Sequence, residues 1–232
     1  MTFGEKVIEF NRNLSFEGTL PPAFKLMNPF EENMETIRLM ERFCNKVYAD
    51  TNERVMILGK NPGHYGVGDT GVPLTDTRLL ASMFGIRAKS FVEVEPSSDF
   101  FYDMINRYCG VRKFYRYFYV GSVCPIGLRK QAVSKNWLHC DYYDRAKFVK
   151  GFPLMDSLYD FIVASLKKQI AFGINTDYCY AIGKDNARRL RVVNGKEKLF
   201  GAIITLTDPR YAIHSNREAD ISGYIDSLAK ED

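Results

Sequence analysis

The chain has 232 residues, 46% of them hydrophobic and 14% aromatic, enough to fill the core of one α/β domain spanning 1–232 and to exclude a disordered chain. Lys plus Arg is 32 against 28 for Asp plus Glu, and the resulting net charge of +4 permits a nucleic-acid partner without indicating one. No apolar run approaches the roughly 18 residues of a membrane span. The opening MTFGEKVIEFNRNL lacks the apolar region of a signal peptide. The five cysteines include no C-x-x-C pair, which argues against a disulfide framework or a metal site. A reduced, cytoplasmic protein without metal or cofactor is the expectation.

In chain order, the pattern predicts a short helix from Glu5 to Asn13 and then a proline-punctuated loop from Leu20 to Phe30. Residues 33–50 place Ile37, Met40, Phe43, Cys44 and Val47 at helical spacing. Arg54 to Lys60 is a continuous apolar run of the kind buried on both faces of a parallel sheet. Three similar runs follow, Tyr117 to Val123, Asp177 to Ile182 and Ala202 to Thr207, separated by helical patterns at 75–85, 98–108, 154–171 and 185–193. Leu128 to Lys150 has no clear period and reads as a surface loop, and Glu218 to Lys230 closes the chain with a helix. Strand alternating with helix predicts a three-layer α/β/α fold around a central four-stranded parallel sheet.

Open α/β sheets bind ligands beyond the carboxyl ends of their strands. Those ends are Lys60-Asn61-Pro62-Gly63-His64, Ser122-Val123-Cys124-Pro125, Gly183-Lys184-Asp185-Asn186 and Asp208-Pro209-Arg210. The stretch Gly59 to Pro73 holds five glycines and two prolines, but neither G-x-x-x-x-G-K-[ST] nor a completed G-x-G-x-x-G, so a phosphate cradle is not supported. It offers instead one amide side chain, Asn61, at the strand end.

Gly59-x-Asn61-Pro62-Gly63 followed by Gly66-x-x-x-Thr70-Gly71-Val72-Pro73 resembles, in spacing and composition, the first motif of the single-strand-selective monofunctional uracil-DNA glycosylases. That family is a branch of the uracil-DNA glycosylase superfamily. Tyr119 to Ile126 resembles the family's second-strand segment, and Asp208-Pro209-Arg210 falls where its second catalytic motif would lie. The resemblance covers about residues 50–215. Ser98-x-Phe100-Phe101-Tyr102 and Tyr142-Tyr143-Asp144 are more similar to a bacterial sub-branch than to the animal enzymes.

The resemblance implies a uracil-DNA glycosylase-like fold and an enzyme that extrudes a deaminated base from DNA and hydrolyses its N-glycosidic bond during base excision repair. Asn61 would position the attacking water, since a neutral amide orients water but is too weak a base to deprotonate it. Gly63, His64 and Tyr65 would line the base pocket. No amine nucleophile stands out in the motifs, Lys60 being a weak candidate for Schiff-base chemistry, so the reading is monofunctional.

Three positions depart from the family pattern. The second motif usually begins with a histidine that donates to the departing base, and here it begins with Asp208. An ionised carboxylate only accepts hydrogen bonds, so Asp208 would repel the leaving anion, favour the sugar cation or accept from a different base. His214, six residues on, is an alternative donor. Ser122 replaces an asparagine that reads the pyrimidine edge, which suggests broader choice, reaching xanthine or hypoxanthine. Leu74 replaces a stacking phenylalanine, a loss on the order of 1–3 kcal/mol that Tyr65 would offset.

For phosphate contacts the strand ends offer Lys184, Arg188, Arg210 and Arg217, with Arg112, Lys113, Arg116, Arg129 and Lys130 as further cations. The expected partner is lesion-containing DNA, single- or double-stranded, bound by a monomer near the nucleoid. Two rival readings remain: a catalytically impaired DNA-binding module of the same fold, and a hydrolase or transferase of small nucleosides.

Overall fold

The computed structural model describes residues 1–63, 67–89, 96–132, 134–144, 153–212 and 216–229. Helix α1 (Phe3–Arg12) starts at a capping box in which Thr2 and Glu5 satisfy each other's backbone N–H groups. A short strand β1 (Phe24–Met27) and one-turn helix α2 (Pro29–Glu32) then lead to α3 (Met34–Val47), whose Leu39, Met40, Phe43 and Cys44 are buried. The apolar run predicted to be the first strand is β2 (Arg54–Gly59). After it come α4 (Val67–Thr70), α5 (Thr77–Phe84), α6 (Pro96–Tyr108) and α7 (Gly110–Tyr117).

The middle of the chain holds β3 (Phe118–Ser122), β4 (Gly127–Gln131) and β5 (Trp137–His139), followed by α8 (Pro153–Ile170) and β6 (Ile174–Ile182). Helix α9 (Lys184–Glu197), strand β7 (Ala202–Leu206), α10 (Pro209–Ala212) and α11 (Arg217–Ala229) complete it. Four strands pair in parallel in the order β3-β2-β6-β7, so the sheet is the predicted one.

Side chains alternate across this sheet, and each face meets helices. From β3, Phe118 packs on Phe114 of α7, while its neighbour Tyr119 packs on Phe3 of α1. On β6 the Tyr180 hydroxyl donates to Ser227 O of α11. Both faces are therefore covered, as the continuous apolar composition of the strands requires.

The expectation of a surface loop over Leu128 to Lys150 is corrected at 128–131 and 137–139, which are strand, while residues 133 and 145–150 of that stretch lie outside the described residues. Within it β4 pairs antiparallel with both β1 and β5, forming a second, three-stranded sheet. These strands are three to five residues long and carry Arg129 and Lys130, too few alternations for a period to show. Helix α7 was likewise not anticipated, and it carries Arg112, Lys113 and Arg116, all exposed. No helix among the described residues is long and apolar enough to cross a membrane.

Candidate active site

The site is built where β2 and β3 end. Val123 N–H donates to Gly59 O at 3.0 Å and Cys124 N–H to Lys60 O at 2.9 Å, so the parallel ladder continues past the last strand residue and fixes the backbone that carries Asn61. Downstream, Thr70 organises the glycine-rich turn: its hydroxyl donates to Thr75 O at 2.7 Å and accepts Val72 N–H at 3.1 Å. Gly71 lies at φ +69, where a Cβ would stand 2.8 Å from Met40 Cβ, so the turn needs glycine for conformation and for space.

These ends open onto a cleft of about 370 Å³ lined by Asn61, Gly63, Leu74, Ser122, Asp208 and Arg210. The residues predicted for catalysis therefore share one cavity with three of the predicted base-binding positions. Leu74 is held at φ +53, a conformation disfavoured for a side chain with a Cβ. Among the other predicted groups, His64, Tyr65 and His214 lie outside the described residues.

The Asn61 carboxamide has one sense only. Its Nδ2 donates to Cys140 O at 3.1 Å and its Oδ1 accepts Tyr142 N–H at 3.0 Å. Turning the amide over would set donor against donor and acceptor against acceptor. With one lone pair of Oδ1 engaged by Tyr142, the amide oxygen retains a second lone pair.

Asp208 precedes Pro209 and caps the one-turn α10. Its Oδ1 accepts the Arg210 N–H at 3.0 Å, and its Oδ2 accepts Arg210 Nη2 at 3.0 Å and Lys60 Nζ at 2.9 Å. Every one of these partners is a donor, so the carboxylate works here as an acceptor that gathers cations. Asp141 adds a second anion, 3.3 Å from Lys60 Nζ. Burial opposes the Lys60 ammonium, but Asp141 and Asp208 prevail and hold its pKa above the ordinary lysine value. The cluster of Lys60, Arg210, Asp141 and Asp208 is formally neutral, which removes the unscreened negative charge expected of Asp208 alone.

The segment 139–144 was missed as a contributor. Burial pushes the Cys140 thiol up to about 12, with Asp144 adding to the effect, so it is not a thiolate nucleophile. Tyr143 is likewise raised by burial and by Asp141. The Tyr142-Tyr143-Asp144 resemblance was the one sequence signal for this segment. The sequence marks Lys60 only as a weak nucleophile, because nothing local says which acids it meets 81 and 148 positions later.

The predicted phosphate-binding cations separate. Arg210 borders the cleft with its side chain 57% exposed. Lys184 is exposed at the start of α9, and Arg188 is exposed while paired to Asp185 at 2.9 Å. Arg217 is tied into the scaffold: it pairs with Asp103 at 3.2 Å, donates to Asp99 O and lies over the Phe100 ring. Among the described residues no three His, Cys, Asp or Glu side chains converge as metal ligands.

An amide after one central strand and a cation-gathering acid after the edge strand thus face one cleft of a parallel sheet, and the chain belongs to the uracil DNA glycosylase superfamily, whose model matches residues 46–229. Its activity is accordingly of the DNA glycosylase type. Among solved structures it is similar to wild-type SMUG2 from Pedobacter heparinus, with 38% identity and a TM-score of 0.92 over 99% of this chain and 98% of that one. No curated protein matched the chain.

Proposed function

We propose that this protein is a monofunctional DNA glycosylase that hydrolyses the N-glycosidic bond of deaminated bases, uracil first and also xanthine and hypoxanthine, working as a monomer in bacterial base excision repair. The observation that carries this reading is that Asn61 and Asp208 line one cleft at the carboxyl ends of the parallel strands. A flipped nucleotide enters that cleft. The second lone pair of Asn61 Oδ1 accepts a hydrogen bond from water and turns the water oxygen toward C1′. The C1′–N bond breaks with its electron pair leaving on the base, the water oxygen bonds C1′, and the proton released neutralises the base anion.

Asp208 is not the donor in this scheme. It holds Lys60, whose ammonium is prearranged for charge that develops on the departing base. Because Asp141 and Asp208 keep Lys60 protonated, it lacks the free amine needed for a Schiff base, which supports hydrolysis without strand cleavage. Ser122, with a short hydroxyl in place of an amide, and the Gly63 backbone leave room for purine as well as pyrimidine edges. Lys184, Arg188 and Arg210 supply phosphate contacts.

The test uses end-labelled oligonucleotides carrying uracil, xanthine or hypoxanthine, single- and double-stranded, at enzyme excess and low salt. Cleavage after hot alkali, and none before it, is the expected result. Tight binding of all substrates with no alkali-labile product would favour the impaired DNA-binding module instead.

A further inference from the structure

Asn61 is oriented by a segment that has its own support. Tyr142, whose backbone N–H donates to Asn61 Oδ1, is fully buried, and its hydroxyl donates to Asn186 Oδ1 at 3.0 Å. Asn186, also fully buried, donates from Nδ2 to Leu58 O at 3.0 Å. Leu58 lies in β2, three residues before Asn61. The hydrogen bonds thus form a closed circuit through β2, the first turn of α9 and the segment after β5. Gly183 permits the entry into α9: it lies at φ +90, and a Cβ there would approach Asp208 Oδ2 to 3.4 Å.

Each member has a fixed sense. The Leu58 carbonyl can only accept, so Asn186 presents its amine to it and its carbonyl oxygen to Tyr142. The phenol therefore donates, and the ring pins residue 142 where its N–H meets Asn61. The other side of the segment is pinned by Cys140 N–H, which donates to Leu128 O at 3.1 Å as an extension of the small sheet.

We propose that Tyr142 and Asn186 are positioning residues for the glycosylase reaction, acting through the segment 140–142 to set the direction in which Asn61 presents its free lone pair to the attacking water. The inference rests on the glycosylase reading above. A polar network of this kind fixes geometry more than affinity, because neither side chain lines the cleft. Small misplacement of a group that orients a nucleophile costs rate steeply.

The test is single-turnover excision of uracil from a single-stranded oligonucleotide, with substrate affinity and melting temperature measured on the same preparations. Tyr142→Phe is expected to slow excision by about tenfold or more while leaving affinity within about twofold. Asn186→Ala is the second arm and should show the same split between rate and affinity. The deciding comparison is made in Asn61→Ala, followed over long incubations at enzyme excess, where Tyr142→Phe should add nothing because the group it positions is gone. Wild-type excision by Tyr142→Phe, or an equal slowing in the Asn61→Ala background, overturns the positioning role. Absence of excision by the unaltered protein on every lesion overturns the glycosylase reading itself, a distinct result.

Discussion

Lys60 Nζ stands 2.9 Å from Asp208 Oδ2, with the two side chains only 13% and 7% exposed. The pair joins the residue before Asn61 to the position where the family pattern has histidine. Removing one partner of a buried pair leaves a charge with less compensation, costing about 3–5 kcal/mol when nothing replaces it. Asp141 stays beside Lys60, so about 1–3 kcal/mol is expected for Asp208→Asn. Asp208→His should lower excision, since an imidazole releases Lys60 and Arg210. An increase measured in a single-turnover assay would return the leaving-group role to this one position.

Ser122 lines the cleft, and on the glycosylase reading its small size is what would set base choice. An asparagine there would fill part of the cleft and present two fixed hydrogen-bonding groups, favouring the pyrimidine edge. Ser122→Asn is expected to raise the preference for uracil over xanthine by about tenfold, a discrimination of the order that one pocket contact supplies. Competition between the two oligonucleotides, scored by initial rates, decides it.

The cations near the site should separate in their salt response. Lys184→Ala and Arg210→Ala are each expected to reduce the slope of log affinity against log salt by about one phosphate contact. Arg217→Ala should leave that slope intact and lower thermal stability, because Arg217 braces α6 against α11 through Asp103 and Phe100. Fluorescence anisotropy with a labelled oligonucleotide across a salt series, beside thermal melts, checks both.

Stability should fall at alkaline pH. Burial raises the Tyr115 phenol to about 12, and Lys60 is held above its ordinary value by Asp141 and Asp208 against the effect of burial. Both groups keep their protons longer when folded than when unfolded, where they titrate near roughly 10 and 10.4. Their stabilisation is complete below that range and is lost as pH rises through the folded values. Tyrosinate absorbance and circular dichroism should then change together above about pH 10. Tyr115→Phe should weaken the dependence, and an unchanged profile in that variant would remove the assignment.

Periodicity was a sound guide wherever an element was long or wholly buried. β2 and β3 follow their apolar runs closely, and α8 follows its line of Leu158, Ile162 and Leu166. Strands β1, β4 and β5 escaped because each is short, and because Lys25, Arg129 and Lys130 interrupt the apolar pattern while pairing across the ladder. At the site, Asn61, Ser122 and Asp208 were legible because strand ends are local signals. The bonds from Asn61 to Cys140 and Tyr142, and from Tyr142 to Asn186, join positions 79, 81 and 44 residues apart. No local pattern carries such pairings; they follow from how the two sheets are set beside each other.

The small sheet also defines how much chain a working site requires. Superfamily similarity begins at residue 46, yet β1, at residues 24–27, is the edge against which β4 is laid, and β4 holds Cys140 by its backbone. The Asn61 amide is thus aligned, three steps removed, by residues that precede the stretch matched by the superfamily model. A fragment cut to the shared region would retain both motifs while losing the rail on which one wall of its cleft is hung.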